Sequence, residues 1–406
     1  MNIIKGSGVT APKGFLAAGI HCGLKKNVIK KDLALIYSEV KANAWGVFTK
    51  NKVKGAPIYI SKEHLANKSA QAIIINSGNA NTCNGDDGLH KAKKMAILQA
   101  KELGLKPHEV LVASTGVIGI PLNIDAIKDG IPLLTNSLTP TGGHEASTAI
   151  MTTDTFSKEL SVTFELDGKE VTIGAMAKGS GMIEPNMGTM LGFITTDINI
   201  CPNLLKESLK ECVDVSFNRV SVDGDTSTND TVFILANGLA ENTLIEENNN
   251  NYSTFLKYLK EICVEISKMI ARDGEGATKL MECTISNAKN EKEAEILSKS
   301  VINSSLVKTA IFGADANWGR ILCALGYTKI DFNPENIDVA FSSKVGTIEV
   351  CKAGAGLPFD EAKAKEILNE ENIKILVNMN AGTSEVTTWG CDLSYEYVRI
   401  NGDYRS

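Results

Sequence analysis

The chain has 406 residues, 43% hydrophobic and 22% charged, with 42 Lys plus Arg against 48 Asp plus Glu. This is ordinary globular composition, which excludes a disordered, collagen-like or coiled-coil chain and, at ~150 residues per domain, predicts two or three domains. A net charge of −6 lacks the basic footprint of a general nucleic-acid binder, and no apolar run approaches the ~18–20 residues of a membrane span. In chain order, 33–40, 44–49 and 72–76 read as strands rich in Ile, Val and Tyr. Residues 86–103 read as a helix: Leu89, Ala92, Ala96, Ala100 and Leu103 share one face, Asp86 and Asp87 cap the start and Gly104 ends it. A short buried-type strand at 110–113 runs into Ser114, Thr115 and Gly116, and 124–128 and 143–151 look helical. Residues 160–166 and 169–175 flank Asp167 and Gly168, a strong two-residue hairpin signal.

Further on, 204–215 reads as a helix, 231–236 as a strand, 241–251 (ENTLIEENNNN) as a polar surface loop and 252–271 as a long helix. A strand at 281–286 and a helix at 291–306 follow. Strands then recur at 337–341, 346–350, 373–377, 384–391 and 395–400, interrupted by a helix at 359–368. No linker divides the chain cleanly. Hairpins mixed with helices predict a mixed α/β (α+β) protein, not a regular βαβ array.

Only five His occur, at 21, 64, 90, 108 and 144, and none form HxH, HxxH or HExxH. A His-rich metal site is therefore unsupported, and no metal is expected. Nine Cys are scattered without a CxxC pair, which fits reduced, mostly packed thiols in the cytoplasm. The opening MNIIKGSGVTAPKGF is too short and polar for a secretory h-region, in line with that compartment.

Glycine appears 35 times, often in Gly/Ser/Thr/Asn clusters at 75–88, 113–119, 177–192, 221–230, 271–279 and 311–320. One by one such clusters are turns, but six exceed what hairpins require, and amides exposed by glycine can face an anion. The spacings GxxxxGK[ST] and GxGxxG are absent, as is the [QR]xxGx[GA] pattern of coenzyme A binding. No GxSxG elbow or SxxK set is present either. One segment suits different chemistry. A turn-rich stretch, Lys178 to Met187, ends in Gly188, and Thr189 opens an apolar strand-like run. A Thr hydroxyl there could attack the preceding carbonyl, since an unhindered glycine lets the peptide bend into the strained geometry required. Cleavage would free the Thr189 α-amine, whose ordinary pKa of ~7.7–8.0 suits a general base near neutrality. Thr activated by its own amine is a recognised nucleophile–base pair, and it needs no His. The bland alternative is a Gly-Thr pair at the start of a buried strand.

The segment KGSGMIEPNMGTMLGFITTD resembles the processing site of the ornithine acetyltransferase (glutamate N-acetyltransferase) family of arginine biosynthesis. The resemblance covers essentially the whole chain: VTAPKGFLAAGIHCGLK, NSGNANTCNG, VLVASTGVIGIPL, IMTTDT, NRVSVDGDTSTND, ARDGEGATK, GADANWGRIL and the C-terminal NMNAGTSEVTTWGCDLSYEYVRINGDYRS occur in the family's order. Two positions depart from it: Gly188 stands where the family usually has Ala, and Ser406 where it more often has Thr. The family implies layered β-sheets covered by helices, of the self-processed N-terminal-nucleophile type seen in aminopeptidase/ornithine acetyltransferase-like proteins. It also implies an α chain (1–188) and a β chain (189–406) that begins with Thr189. The two share one interlocked core with a smaller C-terminal subdomain. Thr189 would take the acetyl group of N-acetylornithine and pass it to glutamate in a ping-pong reaction, with Thr115 and Gly116 as oxyanion hole. Substrate contacts carry over to Thr152, Lys178, Thr189, Glu275, Asn401 and Ser406. Lys178 suits the substrate α-carboxylate and Glu275 the ornithine ammonium. The family implies an α2β2 heterotetramer, with no nucleic acid, membrane or bound cofactor. Acetyl-coenzyme A as a second acetyl donor stays open. Two competitors remain: a self-cleaving aminopeptidase or amidase that passes the acyl group to water, and a non-catalytic small-molecule binder.

Overall fold

The computed structural model describes residues 3–5, 8–26, 30–184 and 190–403. Its elements in chain order are β1 (Ile3–Lys5), β2 (Phe15–Ile20), β3 (Leu33–Phe48), α1 (Ala56–His64), β4 (Ser69–Asn79), α2 (Gly85–Leu103), β5 (Val110–Val117), α3 (Ile124–Asn136) and α4 (Gly143–Ile150). Then come β6 (Lys158–Leu166), β7 (Lys169–Lys178), β8 (Leu191–Thr196), α5 (Pro202–Val215), β9 (Thr231–Ala236), α6 (Asn250–Arg272), β10 (Leu280–Ala288), α7 (Glu291–Asn303), α8 (Ser305–Phe312) and α9 (Trp318–Gly326). The last are β11 (Asp338–Ser343), β12 (Gly346–Lys352), β13 (Ala355–Gly356), α10 (Glu361–Leu368), β14 (Asn372–Asn378), β15 (Ser384–Cys391) and α11 (Tyr395–Asp403).

Among the described residues, these strands form two sheets. One has nine strands in the order β1-β6-β7-β8-β9-β3-β4-β5, with β2 paired to β3. Both of its faces are buried, and β9 shows why: Val232, Ile234 and Ala236 enter one core while Phe233 and Leu235 enter another. The period-2 alternation of a strand sends neighbouring residues to opposite faces. Helices α5 and α6 cover the first face through Leu209, Phe255, Ile262 and Ile266. Helix α4 covers part of the second through Ala146, Ala149 and Ile150. The second sheet has six strands, β13-β12-β11-β14-β10-β15, and its own core. There Leu297, Val301, Ile321, Leu325 and Ile367 of α7, α9 and α10 meet Ile285, Phe341 and Ile375. The architecture is thus mixed α/β with layered sheets covered by helices.

The hairpin predicted at Asp167 and Gly168 forms between β6 and β7, with φ of +52° and +74°, the left-handed pair a tight two-residue turn needs. Strands 231–236 and 384–391 fall where the sequence puts them. The two predicted strands at 33–40 and 44–49 are one, β3, with an irregular register between Tyr37 and Ala42. The helix predicted at 291–306 is two, because Ser304 leaves the helical path and its side chain caps α8 by accepting from Val307 N. Helix α2 starts at Gly85 after Asn84, so Asp86 and Asp87 sit in its first turn and do not cap it. The clearest correction is at 395–400, predicted as a strand from its Tyr, Val and Ile: it is helix α11. Ser394 Oγ accepts from Glu396 N at 3.2 Å, and Glu396 pairs with Arg399 one turn on. The segment lies on the surface with no buried residue, so β-propensity finds no sheet face to fill.

Candidate active site

A cleft is assembled where several strand ends meet. Strand β5 ends beside β4 in parallel, with Ser77 opposite Thr115 and Gly78 opposite Gly116. Gly116 has φ of +129°, and a Cβ there would lie 2.4 Å from Gly78 C and 2.5 Å from Asn79 N. Only glycine fits this crossing. The neighbouring backbone is tied by buried amides: Asn229 Nδ2 donates to Ala80 O at 2.6 Å and to Ser114 O at 2.9 Å, and Thr82 Oγ1 donates to Asn229 Oδ1 at 2.6 Å.

Strand β7 delivers Lys178, 8% exposed, whose Nζ lies 3.4 Å from Thr115 Oγ1. A chain of buried charges fixes this region. Asp154 Oδ1 accepts from Gly179 N and from Lys158 Nζ, both at 2.7 Å, and Asp154 Oδ2 accepts from Thr152 N at 2.9 Å. Lys158, fully buried, also reaches Asp273 Oδ2 at 2.5 Å, and Asp273 receives the Thr155 amide and hydroxyl. Burial alone would raise the Asp154 pKa, but Lys158, Lys178 and these hydrogen bonds overcome it and hold the carboxyl well below its usual range. Burial lowers the Lys178 pKa, partly countered by Asp154, Glu275 and Asp230. Lys178 is the only Lys or Arg among the described residues that line the cleft.

The far wall comes from the loop after α6. Glu275 is 7% exposed, its amide donates to Ser180 O at 2.9 Å, and its Oε2 accepts from Asn401 Nδ2 at 2.7 Å. A Cβ on Gly181 would sit 2.4 Å from Glu275 Cδ, so that glycine makes room for the carboxylate. Helix α11 presents Tyr397 and Asn401 to the cleft from one face, four residues apart. Asp223 Oδ2 and Oδ1 accept from the amides of Met182 and Ile183 at 2.7 and 2.8 Å, which pins the chain just before 185–189. On the other side, Thr231 N donates to Met190 O at 2.9 Å.

The cleft has a volume of about 230 Å³. This is below the ~300–1,000 Å³ of sites for drug-sized ligands, so it suits a small metabolite. Of the residues singled out from sequence, Thr115, Gly116, Thr152, Lys178, Glu275 and Asn401 all line it. Gly188, Thr189 and Ser406 lie outside the described residues. Among the described residues no group of three or more His, Cys, Asp or Glu is arranged to hold a metal, and no helix is long and apolar enough to cross a membrane. All nine Cys are unpaired, and Cys212, Cys263, Cys283, Cys351 and Cys391 are buried. Asp154, Lys158, Asp273, Asp223, Asp230 and Tyr397 carry no assignment from sequence. Apart from Lys158, which lies in none of the motifs, their only signal there is membership of the polar stretches IMTTDT, ARDGEGATK and NRVSVDGDTSTND and of the C-terminal segment.

A sequence model of the ArgJ family matches residues 16–406. The chain belongs to the ArgJ family. It is 52% identical to arginine biosynthesis bifunctional protein ArgJ 1 of Clostridium acetobutylicum over 406 residues, covering 100% of this chain and 99% of that relative. The ArgJ protein of Caldanaerobacter subterraneus is 49% identical, with 100% of both chains covered. A solved ArgJ structure from Bacillus halodurans is 46% identical, superposes with a TM-score of 0.50, and covers 52% of this chain and 98% of its own. As an ArgJ protein, the chain is an acyltransferase of arginine biosynthesis, a glutamate N-acetyltransferase.

Proposed function

We propose that the chain cuts itself between Gly188 and Thr189 and then carries acetyl groups from N-acetylornithine to glutamate on Thr189. The observation that carries this is the convergence of Thr115, Gly116, Thr152, Lys178, Glu275 and Asn401 on one cleft, although they span most of the sequence. Met190, the residue after Thr189, also lines that cleft.

In this mechanism the Thr189 α-amine removes the hydroxyl proton, and the hydroxyl attacks the acetyl carbonyl. Thr115 and Gly116 hold the oxyanion, with the Lys178 cation 3.4 Å from the Thr115 hydroxyl. Lys178 takes the substrate α-carboxylate, while Glu275 and Asn401, already bonded to each other, take the ornithine ammonium. Thr152 and Ser406 complete the contacts. Ornithine leaves, glutamate enters the same cleft, and N-acetylglutamate is released. Acetyl-coenzyme A serves as a second acetyl donor with no cofactor resident; in a cleft of about 230 Å³ only its acetyl end enters. The cut pieces stay together as an α2β2 assembly in the cytoplasm. Their cohesion follows from β8, which lies after the cut yet pairs with β7 before it over six residues.

The test is a denaturing gel with intact masses. Fragments 1–188 and 189–406 are expected, and Thr189→Ala should stay whole and inactive. Continued cleavage in that variant rules out the nucleophile. Free acetate in place of acetylglutamate from the wild type would favour an amidase.

A further inference from the structure

Asp230 lines the cleft immediately before β9 and is only 2% exposed. Among the described residues its Oδ2 is enclosed without a hydrogen-bond partner. Its backbone is fixed on both sides: Asp230 O accepts from Thr49 N at 2.9 Å, and the next amide, Thr231 N, donates to Met190 O at 2.9 Å. The Asp230 backbone is therefore held beside the strand that begins just after Thr189. An ionised carboxylate with an unmatched, enclosed oxygen is costly, whereas a neutral acid tolerates the place. Burial pushes its pKa well above the usual range; the hydroxyls of Ser227 and Thr49 and the Lys178 cation pull it down without cancelling that push. The charged groups that face Lys178 in turn are Asp154, Lys158 and Glu275. No histidine is among the described residues lining the cleft, and Asp230 is a buried carboxyl there that favours keeping its proton.

We propose that Asp230 is a catalytic acid–base residue that protonates the amine leaving the acetyl donor and deprotonates the amine that accepts the acetyl group. This rests on the acetyl-transfer mechanism above. In the first half, the Thr189 oxygen bonds to the acetyl carbon and its proton passes to the Thr189 amine. The carbon–nitrogen bond of acetylornithine breaks, and the Asp230 proton goes to that nitrogen, leaving ornithine with a neutral amine and Asp230 as a carboxylate. In the second half, the neutral amine of glutamate attacks the acetyl ester and gives a proton to Asp230. The Thr189 oxygen leaves and recovers its proton from the Thr189 ammonium. Each half restores what the other spent, so a ping-pong cycle needs no further proton source.

The experiment compares two acetyl donors on the wild type and on Asp230→Asn, which keeps the side-chain shape. Acetylornithine has an amine leaving group that must be protonated; p-nitrophenyl acetate has a phenolate that leaves without a proton. Asp230→Asn should lose ~10²–10⁴-fold in kcat with acetylornithine, with KM little changed. It should still acylate Thr189 from the ester at close to the wild-type rate. In the wild type, acylation by acetylornithine should fall as rising pH strips the Asp230 proton, and acylation by the ester should not. An unchanged kcat in Asp230→Asn, or equal losses with both donors, overturns the proposal. Should Asp230→Asn remain uncut, the wild-type pH comparison decides alone, and one shared pH profile overturns it. A wild type that forms no acetyl-Thr189 from either donor takes down the underlying mechanism as well, a result distinct from the others.

Discussion

The two sheets use their interiors differently. Beside the nine-stranded sheet, the ground under the cleft buries Lys158, Lys178, Asp273 and Asp230 and the side chain of Asp154. The core of the six-stranded sheet is aliphatic and aromatic, built from residues such as Ile285, Phe341, Ile375 and Val377. Lysines near its border, Lys279 and Lys308, donate to backbone carbonyls of Ile311 and Cys391, and the Asp392 carboxylate also faces Lys279. Hydrophobic burial needs no partner, but each buried charge does. The first region therefore trades robustness for a polarised surface facing the cleft, and the second simply holds shape.

That contrast can be broken most forcefully at Lys158. Lys158→Met leaves Asp154 and Asp273 facing each other without their shared cation, and loss of one partner of a buried pair costs ~3–5 kcal/mol. Denaturant unfolding should show that loss together with collapse of activity, because Asp154 also holds the Thr152 and Gly179 amides. In the other region, Ile375→Ala should cost ~2–5 kcal/mol of stability, while kcat of the folded fraction stays at the wild-type value. A parallel loss of kcat there would mean the sheets are not separable in function. Thr115→Ala reverses the pattern: kcat should fall ~10²–10³-fold with the melting temperature nearly unchanged.

Smaller effects come from pH. The Asp154 carboxyl titrates below its unfolded value of ~3.9, so its contribution is complete above that pH and is lost as pH falls through the depressed value. Acid unfolding should begin in that range, and Lys158→Met should flatten it. Asp230 has the opposite sign. Its raised pKa lets the folded state keep a proton that the unfolded state releases, so stability drains as pH rises above the ordinary carboxylate range. Asp230→Asn should melt slightly higher than the wild type at neutral pH while losing catalysis; a lower melting point would show that the carboxyl is structural.

Sequence was a good guide where local chemistry decides structure. Asp167 and Gly168 can take the left-handed turn that joins β6 to β7, and the outcome follows. It failed where tertiary context decides. The stretch 395–400 has strand-forming residues but no sheet to join, and α1 is buried on most sides, so neither shows its periodicity. Helix α9 starts in the last three residues of a glycine cluster that reads as a turn. Thr115, Gly116, Thr152, Lys178, Glu275 and Asn401, which the motifs single out, share one cleft. Lys158 and Asp273 were not legible in the sequence, since their contact joins positions 115 residues apart. Asp230 was equally silent, because an unmatched oxygen is a property of surroundings and not of spacing.

The central claim is that Thr189, freed by cleavage, carries the acetyl group. Wild-type protein should be mixed with N-acetylornithine in the absence of glutamate, quenched in acid, and the 189–406 fragment weighed and digested. One added acetyl group is expected on the hydroxyl of an N-terminal Thr189, to disappear when glutamate is supplied and reappear as N-acetylglutamate. An uncut chain, or a cut chain that turns over acetylornithine with no acetyl group on Thr189, would contradict it.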